Sequence, residues 1–255
     1  MKKFLLGIMG LAAMIAGPAM AADMRVKAPA PPPVVYYDWS GAYVGFSIGY
    51  VWTEVERHFP NPIFGPSTHS SSGDDVIFDL HAGWQWQWGQ WVLGAEVGYS
   101  AGAKEMVSTV ALPTPPFPAN LSAYSKITDL FTVGPRLGFA WDRWMIYATG
   151  GYATATVKGQ YIFTDSGLQR FQNFAGQSWN DGWFAGGGFE YMIHKGALVD
   201  VILGAEYQHF DVSSKRAFTD TVLADGRWSI DQSATGDIVR ARITIKTQGY
   251  AFLWR

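Results

Sequence analysis

The sequence contains no cysteine, few charged residues and, beyond residue 21, no long apolar run. Without cysteine the chain forms no disulfides, although a secreted domain of this size can fold without them. Charged residues make up 16% of the chain, no more than aromatic residues, and no basic stretch indicates nucleic-acid binding. No segment beyond residue 21 offers the roughly 18 apolar residues of a membrane-spanning helix. A soluble β-domain and a membrane β-barrel remain open.

The first 21 residues have the layout of a cleaved secretory signal peptide. Lys2 and Lys3 precede an apolar stretch, and the run Ala-Met-Ala at 19–21 has the small-residue pattern of a cleavage site. Residues 22–38 follow as a proline-rich leader, which we expect to be extended and periplasmic. The pattern predicts an exported protein whose folded domain comprises residues 39–255.

From residue 39 onward, apolar side chains recur at every second position, which is the period of a β-strand. Most of the alternating segments reach the roughly 9–11 residues that a tilted membrane strand needs. The eight segments are 42–53, 76–88, 91–102, 127–141, 144–157, 183–193, 199–209 and 239–246. In residues 144–157 both faces carry small and aromatic residues, so the pattern leaves the facing of that strand open.

The connections between these strands alternate in length. Short turns lie near residues 90, 143 and 196, and long polar segments lie between the other strands. The long segments are residues 54–75, 103–126, 158–182 and 210–237. Short periplasmic turns and long extracellular loops are typical of outer-membrane barrels. We therefore predict an all-β fold, an eight-stranded antiparallel up-and-down transmembrane β-barrel in the cell outer membrane.

Tryptophans are concentrated beside the short turns. Those that we predict to face outward at the membrane interface are Trp84, Trp86, Trp88, Trp91, Trp141 and Trp144. Amphipathic rings form girdles at membrane–water interfaces, whereas the core of a soluble sandwich would place aromatic residues in the middle of its strands. On this interpretation Gln85 and Gln87 point into the barrel.

The opposite faces of the strands carry many glycines and a few charges of both signs. These charged residues are Asp79, Glu96, Arg136, Glu190, Asp200, Glu206, Arg240, Arg242 and Lys246. A barrel of eight strands has an interior that side chains just fill, and buried charges must be paired. We predict a plug of salt bridges centred on Arg136, with Glu96, Glu190 or Glu206 as its partners. A gateable polar core is the functional alternative to simple charge pairing.

Several stretches of the sequence resemble one known family. They are DWSGAYVGFSIGY at the end of the leader, TVGPRLGFAWDRWMIYATGGYA at 132–153, GWFAGGGFEYMI at 182–193 and LGAEYQHFDV at 203–212. These segments resemble the small outer-membrane surface antigens of alpha-class Gram-negative bacteria, also called outer-membrane immunogenic or porin-family proteins. The resemblance implies a periplasmic N-terminus, four exposed loops and no catalytic residues. The C-terminal TQGYAFLW resembles the strand signal read by the barrel assembly machinery, although Arg255 follows it.

Candidate sites for catalysis or cofactors are few. No two of the five histidines have metal-ligand spacing, and His81 beside Asp79 is best explained by lumen packing. The nearest approach to a Ser–His–acid cluster joins Ser213, His209 and Glu206, but alternation places Glu206 on the opposite face from His209. We therefore predict no enzyme activity, no metal and no cofactor.

The function predicted from these patterns is structural. We expect a surface-exposed barrel that contributes to envelope integrity and displays extracellular loops, with membrane lipid, lipopolysaccharide and the assembly machinery as its partners. The extracellular partner stays unknown. The alternatives are a narrow pore and a ligand-binding barrel, for example one that binds haem through His58 and His69 in the loops.

Overall fold

The computed structural model describes residues 37–61, 65–102, 106–112, 119–165, 171–219 and 229–248. Within these ranges no helix is long and apolar enough to cross a membrane. The strands are β1 (Gly41–Asn61), β2 (Gly65–Trp88), β3 (Trp91–Ala101), β4 (Met106–Leu112), β5 (Ala119–Trp141), β6 (Trp144–Asp165), β7 (Phe171–Lys195), β8 (Val199–Thr219) and β9 (Ser229–Thr247). The predicted signal peptide, residues 22–36 of the predicted leader and the C-terminal residues 249–255 lie outside the described part of the chain.

The strands form one closed antiparallel sheet. Strands that follow one another in the chain pair with each other except for β3 and β4, β1 also pairs with β9, and β3 pairs with β5. The short strand β4 continues the direction of β3 and pairs with β5 beyond it, after a break at Gly102, whose φ is +134°. The barrel wall therefore has eight positions in up-and-down order, which confirms the predicted fold.

The outer face of this barrel is apolar and the inner face is polar. On β1 and β2, Phe46, Ile48 and Leu80 point outward, and Leu80 is 58% exposed. Their neighbours Ser47 and Asp79 point inward and are buried. A soluble barrel or sandwich would turn its apolar faces inward. The arrangement is that of a membrane barrel, whose outward apolar band contacts lipid.

The six tryptophans predicted at the membrane interface lie on the outer face, at the end of the barrel that carries the short turns. These turns are Gly89-Gln90, Asp142-Arg143 and residues 196–198, with Gly89 and Asp142 at positive φ (61° and 53°). The rings of Trp86, Trp88, Trp91, Trp141 and Trp144 are exposed, and Trp84 is half-buried. Trp84 shares the face of Trp86, with ring centroids 6.0 Å apart. We call these six residues the tryptophan belt.

The four segments predicted to be loops are for the most part strand. The β1–β2 ladder continues from Trp52–Asp74 to Asn61–Gly65, so residues 54–61 and 65–75 form the two paired strands of a long hairpin. Residues 103–126, 158–182 and 210–237 likewise contain strand from β4, β5, β6, β7, β8 and β9. The prediction missed these extensions because it relied on a continuous apolar face, which polar residues interrupt in these segments. Backbone pairing maintains the strands there.

The facing of β6, which the pattern left open, is settled by the structure. Met145 and Tyr147 point into the barrel, and Trp144 and Ile146 point outward. A register shift between β5 and β6 lies between Ile127 and Asp129.

Substituting arginine for outward-facing residues tests which part of the wall contacts lipid. We predict that Leu80→Arg destabilises the barrel in lipid vesicles by about 2–4 kcal/mol, since a charge at mid-depth loses its hydration. Ser72→Arg lies on the same face of β2 but nearer the hairpin end, and should have little effect. Urea unfolding in vesicles measures both; equal effects would show that the exposed apolar face is not a lipid-contacting band.

Candidate functional site

The centre of the lumen is filled by a layer of paired charges, which we call the charged layer. Its members are Asp79, Glu96, Arg136, Glu190, Glu206, Arg240 and Arg242. On β9, the inward-facing residues include, in order from the short-turn end upward, Lys246, Arg242, Arg240 and Ile238. The charged layer therefore lies midway along the barrel, between apolar residues at both ends.

Arg242 contacts more carboxylates than the other two arginines. Its Nη2 lies 2.6 Å from Oε2 of Glu96, its Nη1 contacts Glu206, and its Nε lies 3.9 Å from Oε1 of Glu190. Arg242 is on β9 and Glu96 is on β3, so this contact spans the lumen. Arg242 lies opposite Gly204 in the β8–β9 ladder, and a Cβ on Gly204 would lie 2.8 Å from Cγ of Glu190, so the glycine leaves space for that glutamate.

Arg136, which the sequence predicted as the central arginine, binds two of its three expected partners. Its Nη2 lies 2.6 Å from Oε1 of Glu190, and its Nη1 lies 3.4 Å from Oε2 of Glu96. Glu206 instead contacts Arg240, its direct partner in the β8–β9 ladder, at 2.6 Å. The register of the β8–β9 ladder places Glu206 opposite Arg240, and the alternation pattern in the sequence does not predict strand register.

Arg240 links this group to Asp79. The Nη1 of Arg240 lies 2.8 Å from Oδ2 of Asp79. Ser100 also donates to that oxygen, and Ser47 donates to Oδ1, each at 2.8 Å. The His81 ring lies 3.6 Å from Asp79 and makes a 2.9 Å hydrogen bond with Thr244. His81 thus packs within the lumen network, as the sequence interpretation proposed.

Two tyrosines that the sequence interpretation missed also belong to this layer. The Tyr43 hydroxyl donates to Glu96 at 3.0 Å, and the Tyr147 hydroxyl donates to Glu206 at 2.5 Å. The Arg136 guanidinium lies 3.6 Å from the centre of the Tyr147 ring, a cation–π contact. Inward glycines provide the space: a Cβ on Gly188 would lie 2.7 Å from the Tyr147 hydroxyl oxygen. Each tyrosine donates to a carboxylate oxygen that Arg242 also contacts.

Asp200, another of the predicted lumen charges, forms a separate ion pair below the charged layer. It lies directly opposite Lys246 in the β8–β9 ladder, and its Oδ2 is 2.9 Å from the lysine Nζ. Lys246 also donates to the backbone carbonyl of Ser40 at 3.0 Å. The pair therefore connects the wall to the chain segment that enters the barrel.

That segment carries Trp39 into the short-turn end of the lumen. Trp39 is fully buried, and it belongs to a lower apolar cluster with Val92, Ala140, Met145, Tyr147, Met192 and Ile202. Its backbone N–H donates to Gln87 Oε1, and its carbonyl accepts from Gln85 Nε2, both at 2.7 Å. Gln85 and Gln87 thus face inward, as expected, and hold the backbone of Trp39 in place.

An upper apolar cluster fills the lumen on the other side of the charged layer. It consists of Val51, Val55, Ile77, Leu130, Ala153, Ala155, Phe184, Phe210, Val212, Ala234 and Ile238. The sequence interpretation missed it, although Val51 and Ile77 stood out as apolar residues on otherwise polar faces. The lumen therefore contains three layers, with paired charges between two apolar clusters.

The other chemical sites considered from sequence are separated in space. Glu206 is buried in the charged layer, whereas His209 faces outward and contacts Asp237 at 2.9 Å. The side chain of His58 contacts Thr68 at 3.1 Å, and the side chain of His69 lies outside the described residues. Across the described ranges, no group of three or more His, Cys, Asp or Glu side chains is arranged to hold a metal ion.

Removing Arg242 should leave the four carboxylates of the charged layer with two arginines instead of three. We predict that Arg242→Met destabilises the barrel by about 3–5 kcal/mol, the usual effect of breaking a buried ion pair from one side. Arg143→Met, at an exposed turn, removes the same charge and serves as the control. The free energy of unfolding in lipid vesicles gives the comparison, and a loss under about 1 kcal/mol for Arg242→Met would contradict the network.

Comparisons with known proteins agree with this architecture. The family model described as "Outer membrane protein beta-barrel domain" matches residues 9–234. The 31 kDa outer-membrane immunogenic proteins of Brucella melitensis biotype 1 and Brucella suis biovar 1 are each 30% identical over 219 residues, which cover 80% of this chain and 85% of theirs.

Solved structures with detectable similarity include two bacterial proteins. Ail, the attachment invasion locus protein of Yersinia pestis, is 13% identical with a TM-score of 0.33, covering 80% of this chain and 99% of that one. The outer membrane protein OprG from Pseudomonas aeruginosa is 10% identical with a TM-score of 0.39, covering 80% and 96%.

Proposed function

The chain belongs to the outer-membrane β-barrel protein family, and we propose that it acts there as a closed structural barrel. In this role it contributes to envelope integrity and displays its hairpins outside the cell. The observation that carries the proposal is the three-layered lumen, in which paired charges lie between two apolar clusters.

The three layers oppose the passage of water and ions for different reasons. An ion entering from the short-turn end meets Trp39, whose backbone is fixed by Gln85 and Gln87. The apolar clusters offer no groups to replace its hydration, so entering them is costly. In the charged layer, every carboxylate already contacts an arginine, and separating such buried pairs costs several kcal/mol. A filled lumen supports a structural role over conduction.

Display of the hairpins is supported by the length of the strands. The β1–β2 hairpin continues past the apolar band, where its outward residues Glu54, Glu56 and Ser72 are polar and exposed. In outer-membrane barrels the end opposite the short turns faces the outside of the cell. The hairpin walls would then present a rigid, solvated surface there, consistent with the surface antigens among its relatives.

The two alternatives from the sequence receive less support from the described contacts. A narrow pore requires Trp39 and the upper apolar cluster to leave the lumen. Haem binding rests on His58 and His69; unchanged haemin binding by cells that express a variant lacking both histidines would remove that hypothesis.

Planar-bilayer recording tests the closed barrel directly. We predict that the purified protein shows no stable open state, because both apolar clusters exclude water. The double variant Trp39→Ala, Phe210→Ala should show brief openings, since the charged layer is then the main remaining barrier. A long-lived open state of the unaltered protein would contradict the proposed function.

A further inference from the structure

The same pair of side chains occurs on the outer face of all four hairpins. A tyrosine on the first strand donates its hydroxyl hydrogen to an aspartate on the second, at 2.5–2.6 Å in three of the pairs. The four pairs are Tyr50–Asp74, Tyr99–Asp129, Tyr152–Asp181 and Tyr207–Asp237. We call them the tyrosine–aspartate belt.

The four pairs occupy equivalent positions in their strand ladders. Each tyrosine lies directly opposite an apolar residue, namely Val76, Phe131, Trp183 or Val239. The aspartate lies two positions before that residue, on the diagonal toward the hairpin end. Diagonal neighbours on one face of a sheet are within reach of long side chains. Lumen packing does not account for this repetition, since all four tyrosines are exposed.

The position of the belt coincides with the outer edge of the apolar band. From Trp91 to Tyr99 on β3, and from Trp144 to Tyr152 on β6, the chain advances eight residues. At about 3.3 Å per residue and a tilt near 40°, this spans roughly 20 Å, close to the height of a lipid-facing band. A carboxylate is tolerated at the edge of the hydrocarbon layer but costly within it. The belt therefore fits the outer boundary of that layer.

Two lysines form the next outward pair beyond the belt on β5 and β6. Lys126 and Lys158 lie directly opposite each other, one outward position past Asp129. Their neighbours Ile127 and Val157 pack into the upper apolar cluster or are buried, so alternation turns both lysines outward, where they are exposed. Like charges directly opposite each other destabilise a sheet. An anion between the two ammonium groups would remove that repulsion.

The surroundings leave this position open to an external anion. Within the described part of the chain, neither ammonium group forms a hydrogen bond or salt bridge, although Lys158 interacts electrostatically with Asp129. The Asp129 carboxylate accepts a hydrogen bond from Tyr99 at 2.5 Å. We propose that the Lys126–Lys158 pair binds a phosphate group of an outer-leaflet lipid, at the level that the tyrosine–aspartate belt sets. This proposal depends on the membrane-spanning barrel but not on whether the lumen is closed.

Binding of diphosphoryl lipid A to the full protein in detergent micelles tests the site. We expect Lys126→Gln, Lys158→Gln to weaken binding about tenfold or more, since each basic residue near a lipid surface contributes about 1 kcal/mol. The control Arg143→Gln, Lys195→Gln removes two charges at the short-turn end and should bind as the unaltered protein does. Removing the lipid phosphates should weaken binding to the unaltered protein by a similar factor.

Several outcomes would overturn the proposal. They are unchanged affinity in the lysine variant, equal loss in the control variant, or equal binding of the dephosphorylated lipid. A shift between unboiled and boiled samples on gels verifies that each variant is folded, and Lys158→Gln alone, with an expected loss of several-fold, replaces the double variant if that one does not fold. A negative result with a barrel that remains non-conducting would leave the proposed function intact.

Discussion

Closure of the sheet by pairing between β3 and β5 is the constraint on which the rest of the structure depends. In a bilayer each unpaired backbone group costs several kcal/mol, so a sheet can cross only if it has no edge. Closing the ring with eight wall positions fixes a narrow interior that side chains must fill. The apolar exterior follows from contact with lipid, and the crowded interior follows from the small number of strands.

Charges in such an interior are stable only with partners, and the strand register determines which partners they find. Glu206 meets Arg240 and Asp200 meets Lys246 because each pair is directly opposite in the β8–β9 ladder. Arg242 reaches Glu96 because the lumen is narrow enough for a side chain to cross it. Trp39 and the upper apolar cluster then shield these pairs from water at both ends, which strengthens them. The same buried contacts therefore stabilise the barrel and fill its lumen.

Alternation along the chain was sufficient to predict the membrane strands, the facing of all of them except β6, and the barrel, because a membrane strand shows its apolar face in every second residue. It could not identify Arg242 as the central arginine, because contacts across the lumen depend on register and on which strands close the ring. Nor could it detect the strand extensions in residues 54–61 and 65–75, where polar residues interrupt the apolar alternation. Trp39 was missed because it precedes the first strand. The tyrosine–aspartate belt did leave a signal: an aspartate two residues before an outward apolar residue, as in Asp74 and Val76, recurs in every hairpin.

The sealed lumen is the central claim, and the absence of cysteine from the sequence allows a direct measurement of it. Ser47→Cys places a single thiol in the charged layer, Ser72→Cys places one on the outer hairpin wall, and Arg143→Cys places one at a short turn. In reconstituted protein, a charged, membrane-impermeant thiol reagent should modify the thiols at 72 and 143 rapidly and the thiol at 47 only after unfolding. Rapid modification at position 47 in the folded barrel would show that water and ions reach the charged layer, and would contradict the account.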